Sequence, residues 1–258
     1  MGKITFLGTG TSSGVPMIAC NCNVCSSTDL KDNRLRSSVY IEEGGLKFVI
    51  DCGPDFRAQM LREGIKELDA ILLTHLHKDH TGGLDDVRAI NYITQKPLPI
   101  YCESNVIESL KMEYSYVFAK DKYPGIPEFE IHTISNTPFT IEANNKKLDI
   151  TPIRAYHYKL PILGFRIGNL AYITDASVIE DCELKKLEGL NTLIINAVRR
   201  TKHLSHFSLP EALNVIKRLN PKKGYITHMS HQIGTHSSLL KSLPKGVEPA
   251  YDGLTIEF

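Results

Sequence analysis

Tryptophan is missing from the 258-residue sequence, an absence that excludes no class of function. Long apolar runs are missing too. None approaches the roughly 20 residues needed to cross a bilayer, so no membrane partner is expected. The N-terminal MGKITFLGTGTSSG has one lysine and a short apolar stretch, too little for the core of a signal peptide. Phe6 stands where a myristoylation signal requires Ser or Thr. A cytoplasmic location is the resulting expectation. Charge of one sign is scarce as well: 30 Lys and Arg against 29 Asp and Glu leave a formal net charge of +1. No global field recruits nucleic acid, and a nucleic-acid partner is not expected.

What is present suffices for one large core or two small ones, with 42% hydrophobic residues. KITFLG, SSVYIEE and LKFVIDCG read as strands, and DAILLTH is a continuous apolar run of the buried-strand kind. Helices are expected at 54–63, 83–93, 105–118 and 180–187. Residues 119–128 carry two prolines and a glycine and read as a loop. FEIHTIS, FTIEA, KKLDITPIRAY, ILGFRI, NLAYITDA, TLIINAV and GYITH are further strands, with LTIEF an edge strand. Ser208 with Glu211 forms a capping box ahead of a clear helix. The pattern predicts one domain over 1–258 of the α+β type, with two β-rich halves meeting near 141–148 and helices outside.

Of six cysteines, Cys52, Cys102 and Cys182 are isolated and read as buried small side chains. The other three, Cys20, Cys22 and Cys25 in CNCNVC, fall within six residues. In a reducing compartment such a cluster favours metal over disulfide. It resembles a metal site lacking one ligand.

The strongest signal is THLHKDH, at the end of a buried strand. Side chains at i and i+2 of extended chain point the same way, so His75 and His77 can converge on one ion. Past the turn, Asp79 and His80 project toward a neighbouring point. Four ligand-type side chains in six residues suit two adjacent ions better than one. A di-metal site needs more histidines and a bridging carboxylate. His157, Asp175 and His228 each sit where an apolar run ends, and are candidates for those positions.

The HxHxDH arrangement of His75, His77, Asp79 and His80 resembles the signature of the metallo-β-lactamase superfamily. The resemblance implies a four-layer αββα sandwich with the metal centre at one edge. It also implies a division of labour. His75, His77 and His157 would hold one ion, Asp79, His80 and His228 the second, and Asp175 would bridge them. Asp51 matches an acidic residue that supports the site from behind; a strand-end carboxylate satisfied by local N–H groups is the competing reading.

GTGTSSGVPMIACNCNVC, followed far downstream by THMSH, resembles the PhnP-like phosphodiesterase branch, typified by a phosphoribosyl 1,2-cyclic phosphate phosphodiesterase. That branch implies a structural zinc on Cys20, Cys22, Cys25 and His231. A closed Cys₃His tetrahedron leaves no position for water and should not catalyse. The branch also implies a catalytic role for His206, with His203 as a nearby competitor. His206 near its ordinary pKa of about 6.5 would donate a proton to the leaving group.

The expected activity is hydrolysis of a small phosphodiester, such as a cyclic ribose phosphate, to a phosphomonoester by water activated between two divalent ions. Histidine with carboxylate suits zinc, manganese or iron, and the resemblance implies manganese or zinc in the active site. Asp79 would serve both as ligand and in catalysis. Arg199 and Arg200 precede His206 and are candidate phosphate contacts; a solvated basic loop is the alternative. The rivals are a ribonuclease Z-like tRNA-processing nuclease, a thioester or lactam hydrolase, and a binding protein on the same scaffold. A homodimer is the expectation from symmetry base rates alone.

Overall fold

The computed structural model describes residues 2–258. Fourteen strands form two seven-stranded sheets. The first sheet contains β1 (Lys3–Gly8), β2 (Ser38–Glu43), β3 (Leu46–Ile50), β4 (Ala70–Leu72), β5 (Leu98–Cys102) and β6 (Phe129–Thr133). The second contains β7 (Phe139–Ala143), β8 (Lys146–His157), β9 (Leu160–Ile167), β10 (Leu170–Ile173), β11 (Thr192–Asn196), β12 (Lys223–Thr227) and β13 (Val247–Pro249). The C-terminal β14 (Thr255–Glu257) returns to the first sheet and pairs with β1 at its edge.

Each sheet is built the same way. An antiparallel meander, β1–β2–β3 or β7–β8–β9–β10, gives way to parallel strands, β3–β4–β5–β6 or β10–β11–β12–β13. Parallel neighbours require crossovers, which the helices supply. The change of sheet comes at 134–138, between β6 and β7. The expected meeting point, 141–148, is instead a hairpin wholly inside the second sheet. Two adjacent left-handed asparagines, Asn144 and Asn145, make its turn.

Strand alternation produces the layers. In β3, Leu46, Phe48 and Ile50 pack between the sheets, while Val49 faces the outer helices. In β11, Ile194 enters the central core, and Leu193 and Ile195 face the opposite outer layer. The helices Phe56–Arg62 and Ser104–Glu113 cover the first sheet; Leu209–Leu219 and His236–Ser242 cover the second. The four-layer αββα sandwich implied by the family resemblance is therefore the observed architecture.

Helix positions also follow the sequence. The 83–93 segment divides into a 3₁₀ turn, Leu84–Val87, and a helix, Arg88–Thr94. The 105–118 segment breaks at Tyr114. Glu211 accepts from the Ser208 N–H at 2.8 Å, as a capping box requires. Cys52 and Cys102 are buried, but Cys182 is exposed, contrary to expectation. It lies in the first turn of the helix Asp181–Lys185, on a surface layer.

Candidate metal centre

β3 and β4 run in one direction within the first sheet, and β8, β10 and β12 run in one direction within the second, because the pairings between them are parallel or doubly antiparallel. Contacts between the residues that end or follow these strands, such as His80 with Asp175 and His77 with His157, bring their C-terminal ends together along one edge of the sandwich. That edge carries Asp51 after β3, the 74–80 segment after β4, His157 at the end of β8, Asp175 after β10 and His228 after β12. In open α/β sheets the crevice beyond the strands' carboxyl ends is where ligands bind. Three of these residues turn the chain by adopting left-handed backbone angles: Asp51 (φ 67°), Asp175 (φ 58°) and His228 (φ 53°). Such angles cost a non-glycine residue about 1–2 kcal/mol each. Strained residues of this kind concentrate at functional sites.

The edge brings the sequence candidates together. His75 Nε2 lies 3.1 Å from His77 Nδ1, and the His77 and His157 rings are 5.0 Å apart. His80 Nε2 is 3.0 Å from Asp175 Oδ2 and 3.2 Å from Asp79 Oδ2. His228 Nε2 is 3.1 Å from Asp175 Oδ1. His206 Nδ1 lies 3.5 Å from the same oxygen, and its ring sits between those of His157 and His228, at 4.5 and 5.0 Å. Three sets of close ligand atoms result: His75, His80 and Asp175; His157, Asp175 and His206; Asp79, Asp175 and His228. Asp175 belongs to all three. The sets cut across the expected division of labour, since His75 groups with His80, and His206 groups with ligand candidates.

Hydrogen bonds fix the tautomers of four histidines. The Thr74 hydroxyl donates to Asp51 at 2.9–3.0 Å, so His75 Nδ1–H donates to Thr74 Oγ1 at 2.9 Å. His80 Nδ1–H donates to Asp51 Oδ2 at 2.7 Å. His157 Nδ1–H donates to the carbonyls of Asp175 and Ser205 at 3.0 and 2.8 Å. The Ser37 hydroxyl donates to Gly10 O at 2.9 Å, so His228 Nδ1–H donates to Ser37 Oγ at 3.1 Å. Each of these rings therefore presents Nε2 to the shared space, as outer-shell partners do for metal-bound histidines. Sequence reasoning missed Ser37, Thr74 and Thr174 (Thr174 Oγ1 lies 3.3 Å from His228 Nδ1). Thr74 and Thr174 directly precede ligand candidates, which is the only signal they carry.

Charge balance at the edge calls for cations. Burial opposes a charge on His80, yet Asp175, Asp51 and Asp79 hold its pKa well above the ordinary value. Burial likewise resists ionisation of Asp175, but His228 and His80 keep its carboxyl well below the usual range. Asp79 is held low in the same way by His80. Burial raises Asp51 against the pull of His80. A cation among these carboxylates would supply that positive charge and leave the His80 ring neutral, with Nε2 free to bind. Its Nε2 aligns for a hydrogen bond with neither carboxylate, a buried orphan of the kind an ion would engage. The donor set, imidazole nitrogens with carboxylate oxygens, fits zinc, manganese or iron.

His206 departs from expectation. Burial first, then His228, pushes its pKa down to about 3, far from the 6.5 expected of a free side chain. Its Nδ1 is also a buried orphan. Arg199 and Arg200 are not brought to the site as phosphate contacts. Arg199 donates to the carbonyls of Thr201 and Lys202 at 3.3 and 2.7 Å. Arg200 donates to Ile233 O at 2.9 Å.

A second cluster lies in the N-terminal loop. His231 Nδ1 is 3.2 Å from Cys20 Sγ and 3.3 Å from Cys22 Sγ, and with Cys25 the four ligand atoms lie within 4.8 Å of one another. Donation from the Cys25 N–H, then His231, lowers the Cys22 thiol to about 6, whereas burial lifts Cys25 to about 11. Three cysteine sulfurs and one imidazole nitrogen are a donor set that fits zinc. Buried Arg34 joins the parts: it donates to Ser230 O at 3.0 Å and Gly234 O at 2.9 Å, holding the segment that carries His231.

This edge, with its HxHxDH turn, falls within the region matched by a family model described as a β-lactamase superfamily domain, which covers residues 47–229. The chain belongs to that family. Its fold is shared with a solved structure described as a new diphosphatase from the PhnP family. That match has a TM-score of 0.91, 39% identity, and covers 100% of this chain and 98% of the other. The chain is also 41% identical over 255 residues to a Porphyromonas gingivalis protein named octanoyltransferase, covering 98% of this chain but 51% of that protein. It is 34% identical to the Mycobacterium avium ribonuclease Z over 105 residues, 39% of this chain and 32% of the enzyme. The chain thus spans about half the length, or less, of these two relatives. Among the described residues no helix is long and apolar enough to cross a membrane.

Proposed function

We propose that this chain is a metal-dependent hydrolase of phosphorus–oxygen bonds, acting on a small phosphodiester. The observation that carries this reading is the convergence of six histidines and three aspartates on one sheet edge, with Asp175 common to every ligand set. His75, His77, His157, Asp79, His80, His228 and Asp175 would hold two divalent ions, and Asp51 would fix the His80 ring. Such ions supply a Lewis acid and a water of lowered pKa.

The protein's own groups then have separable tasks. Thr74, Asp51, Ser37 and the Asp175 carbonyl hold their histidines in one tautomer, so no reorganisation is needed at the moment of reaction. His206, unpaired at Nδ1, is placed to exchange a proton with the leaving oxygen. Its proton affinity is low when it faces other imidazoles, and an anionic phosphate beside it would raise that affinity. Cys20, Cys22, Cys25 and His231 would close around a structural zinc that braces the strand end bearing His228.

A second reading is hydrolysis of a diphosphate, favoured by the description of the PhnP-family neighbour. A panel separates the readings: bis-p-nitrophenyl phosphate, a ribose cyclic phosphate, a dinucleoside diphosphate, a precursor tRNA and an octanoyl thioester, each with zinc or manganese. Turnover fastest on the first two supports the proposal. Turnover confined to the tRNA or the thioester overturns it.

A further inference from the structure

A pocket of about 310 Å³ opens at the end of the second sheet opposite the metal edge, where the helix Leu209–Leu219 stops and β12 begins. Its apolar lining is Ile216 and Val247, both buried, and Leu213, half-buried. Its cations come from three places. Lys217 stands in the last turn of the helix, Lys222 just ahead of β12 and Lys245 just ahead of β13. Among the described residues no carboxylate lines the pocket. The cations beside it are paired, Lys223 with Glu248 at 3.1 Å and Arg218 with Asp181 at 2.6 Å. Lys217, Lys222 and Lys245 have no such partner among the described residues. They are a local exception in a chain whose charges nearly cancel, 30 against 29. A lysine in the last turn of a helix complements the dipole there, which accounts for Lys217. Lys222 and Lys245 lie outside any helix, so the dipole does not account for them. Each directly follows a proline, Pro221 or Pro244, whose ring fixes φ at the base of the cation.

We propose that this pocket is a second binding site, separate from the metal edge, for a small anion that carries two or more negative charges on an apolar body. The charge requirement follows from exposure. A single ion pair at the surface contributes little, so a monoanion would hardly be held. An anion that meets several lysines together adds their contributions and relieves their mutual repulsion. The apolar requirement follows from Leu213, Ile216 and Val247, since covering them removes further apolar area from water. A bare, strongly hydrated polyanion gains nothing from that surface. Size follows from volume. About 310 Å³ is at the low end of the roughly 300–1,000 Å³ of small-molecule sites, enough for one ring or a short chain. Position separates the site from the chemistry. β12 spans five residues, so the pocket lies on the order of 15 Å from His228 at the strand's other end. The ligand therefore touches none of the candidate metal ligands, and the inference stands independently of the hydrolase reading.

The test reads position as well as affinity. Zinc-loaded, ¹⁵N-labelled protein is titrated with benzene-1,3-dicarboxylate, benzoate, malonate and tripolyphosphate, and amide shifts are followed by NMR. The amides of Asn220 and Gly246 report the pocket, and those of His77 and His228 report the metal edge, so the two sites are read separately. At the pocket the aromatic dicarboxylate should bind at least about tenfold more tightly than benzoate, which lacks the second charge, or malonate, which lacks the apolar body. Lys217→Gln/Lys222→Gln/Lys245→Gln should weaken that binding at least about tenfold, with binding at the edge and Tm unchanged. Lys217→Arg/Lys222→Arg/Lys245→Arg should keep it within about threefold. Absence of shifts at Asn220 and Gly246 up to about 10 mM dicarboxylate overturns the site. So does full affinity in the glutamine variant, or an arginine variant that loses as much as the glutamine one. Benzoate, malonate or tripolyphosphate binding there as tightly as the aromatic dicarboxylate overturns the assigned ligand class.

Discussion

The sheet edge and the thiol loop both gather ligand atoms, but in opposite ways. At the edge, His75, His80, Asp51, Asp175 and His228 are almost wholly buried, and each histidine is held from behind by a hydroxyl, a carboxylate or a carbonyl. In the loop, Cys20, Cys22 and Cys25 are only partly buried and are drawn together by the peptide itself. The edge has more ligand atoms than one ion can use, shared through Asp175, and a pocket opens onto it at His206. The loop's three thiols with His231 make four ligands, the number that closes a tetrahedron. The proposed function accordingly assigns chemistry to the edge and bracing to the loop.

The largest effect should come from breaking the edge at its common member. Asp175→Ala leaves His80 and His228 without their shared carboxylate. Removing one partner of a buried charged set costs about 3–5 kcal/mol, measurable by urea unfolding. Turnover should fall at least about 10²-fold, since every ligand set is broken. Wild-type stability and turnover in that variant would show that Asp175 does not organise the edge.

His206→Ala separates catalysis from metal binding within the same cluster. Turnover should drop about 10²–10⁴-fold while bound metal stays constant. If metal is lost in step with activity, His206 is a ligand, as its grouping with His157 and Asp175 allows.

A smaller effect lies away from both clusters, at Asp252. It accepts from Thr9 and from the Leu35 N–H at 2.8 Å, tying the C-terminal turn to both N-terminal loops. Burial lifts its pKa to about 6. The native state then binds a proton that the unfolded chain has released. Stability from this group is fully present below about pH 4 and is lost as pH rises through 6. A shift of about 2 units corresponds to roughly 2–3 kcal/mol. Asp252→Asn should flatten that fall, seen as a converging difference in urea midpoints between pH 4.5 and 7. Parallel profiles for wild type and variant would refute it.

Much of this was readable from the chain because strand-end ligands have a linear signature. THLHKDH carries its own geometry, and AYITDAS and YITHMSH repeat it at strands the sheet makes parallel to one another. The sheet crossover was misplaced because 134–138 and the Asn144–Asn145 turn have similar turn chemistry, and only pairing distinguishes a crossover from a hairpin. The acidity of His206 depends first on burial and then on the His228 and His157 rings, which arrive from β12 and β8, far away in sequence. Arg199 and Arg200 looked available because a carbonyl partner leaves no mark in sequence.

The division between an open edge and a closed loop is tested most directly by counting metals in Cys22→Ser. Plasma-source mass spectrometry on wild type and variant, with turnover measured on the same samples, gives the answer. The account predicts three ions per wild-type chain, and loss of one zinc in the variant with a lowered Tm and the two edge ions retained. A variant that keeps all its zinc and its stability yet loses turnover would contradict it, because the thiols would then belong to the chemistry and not to the brace.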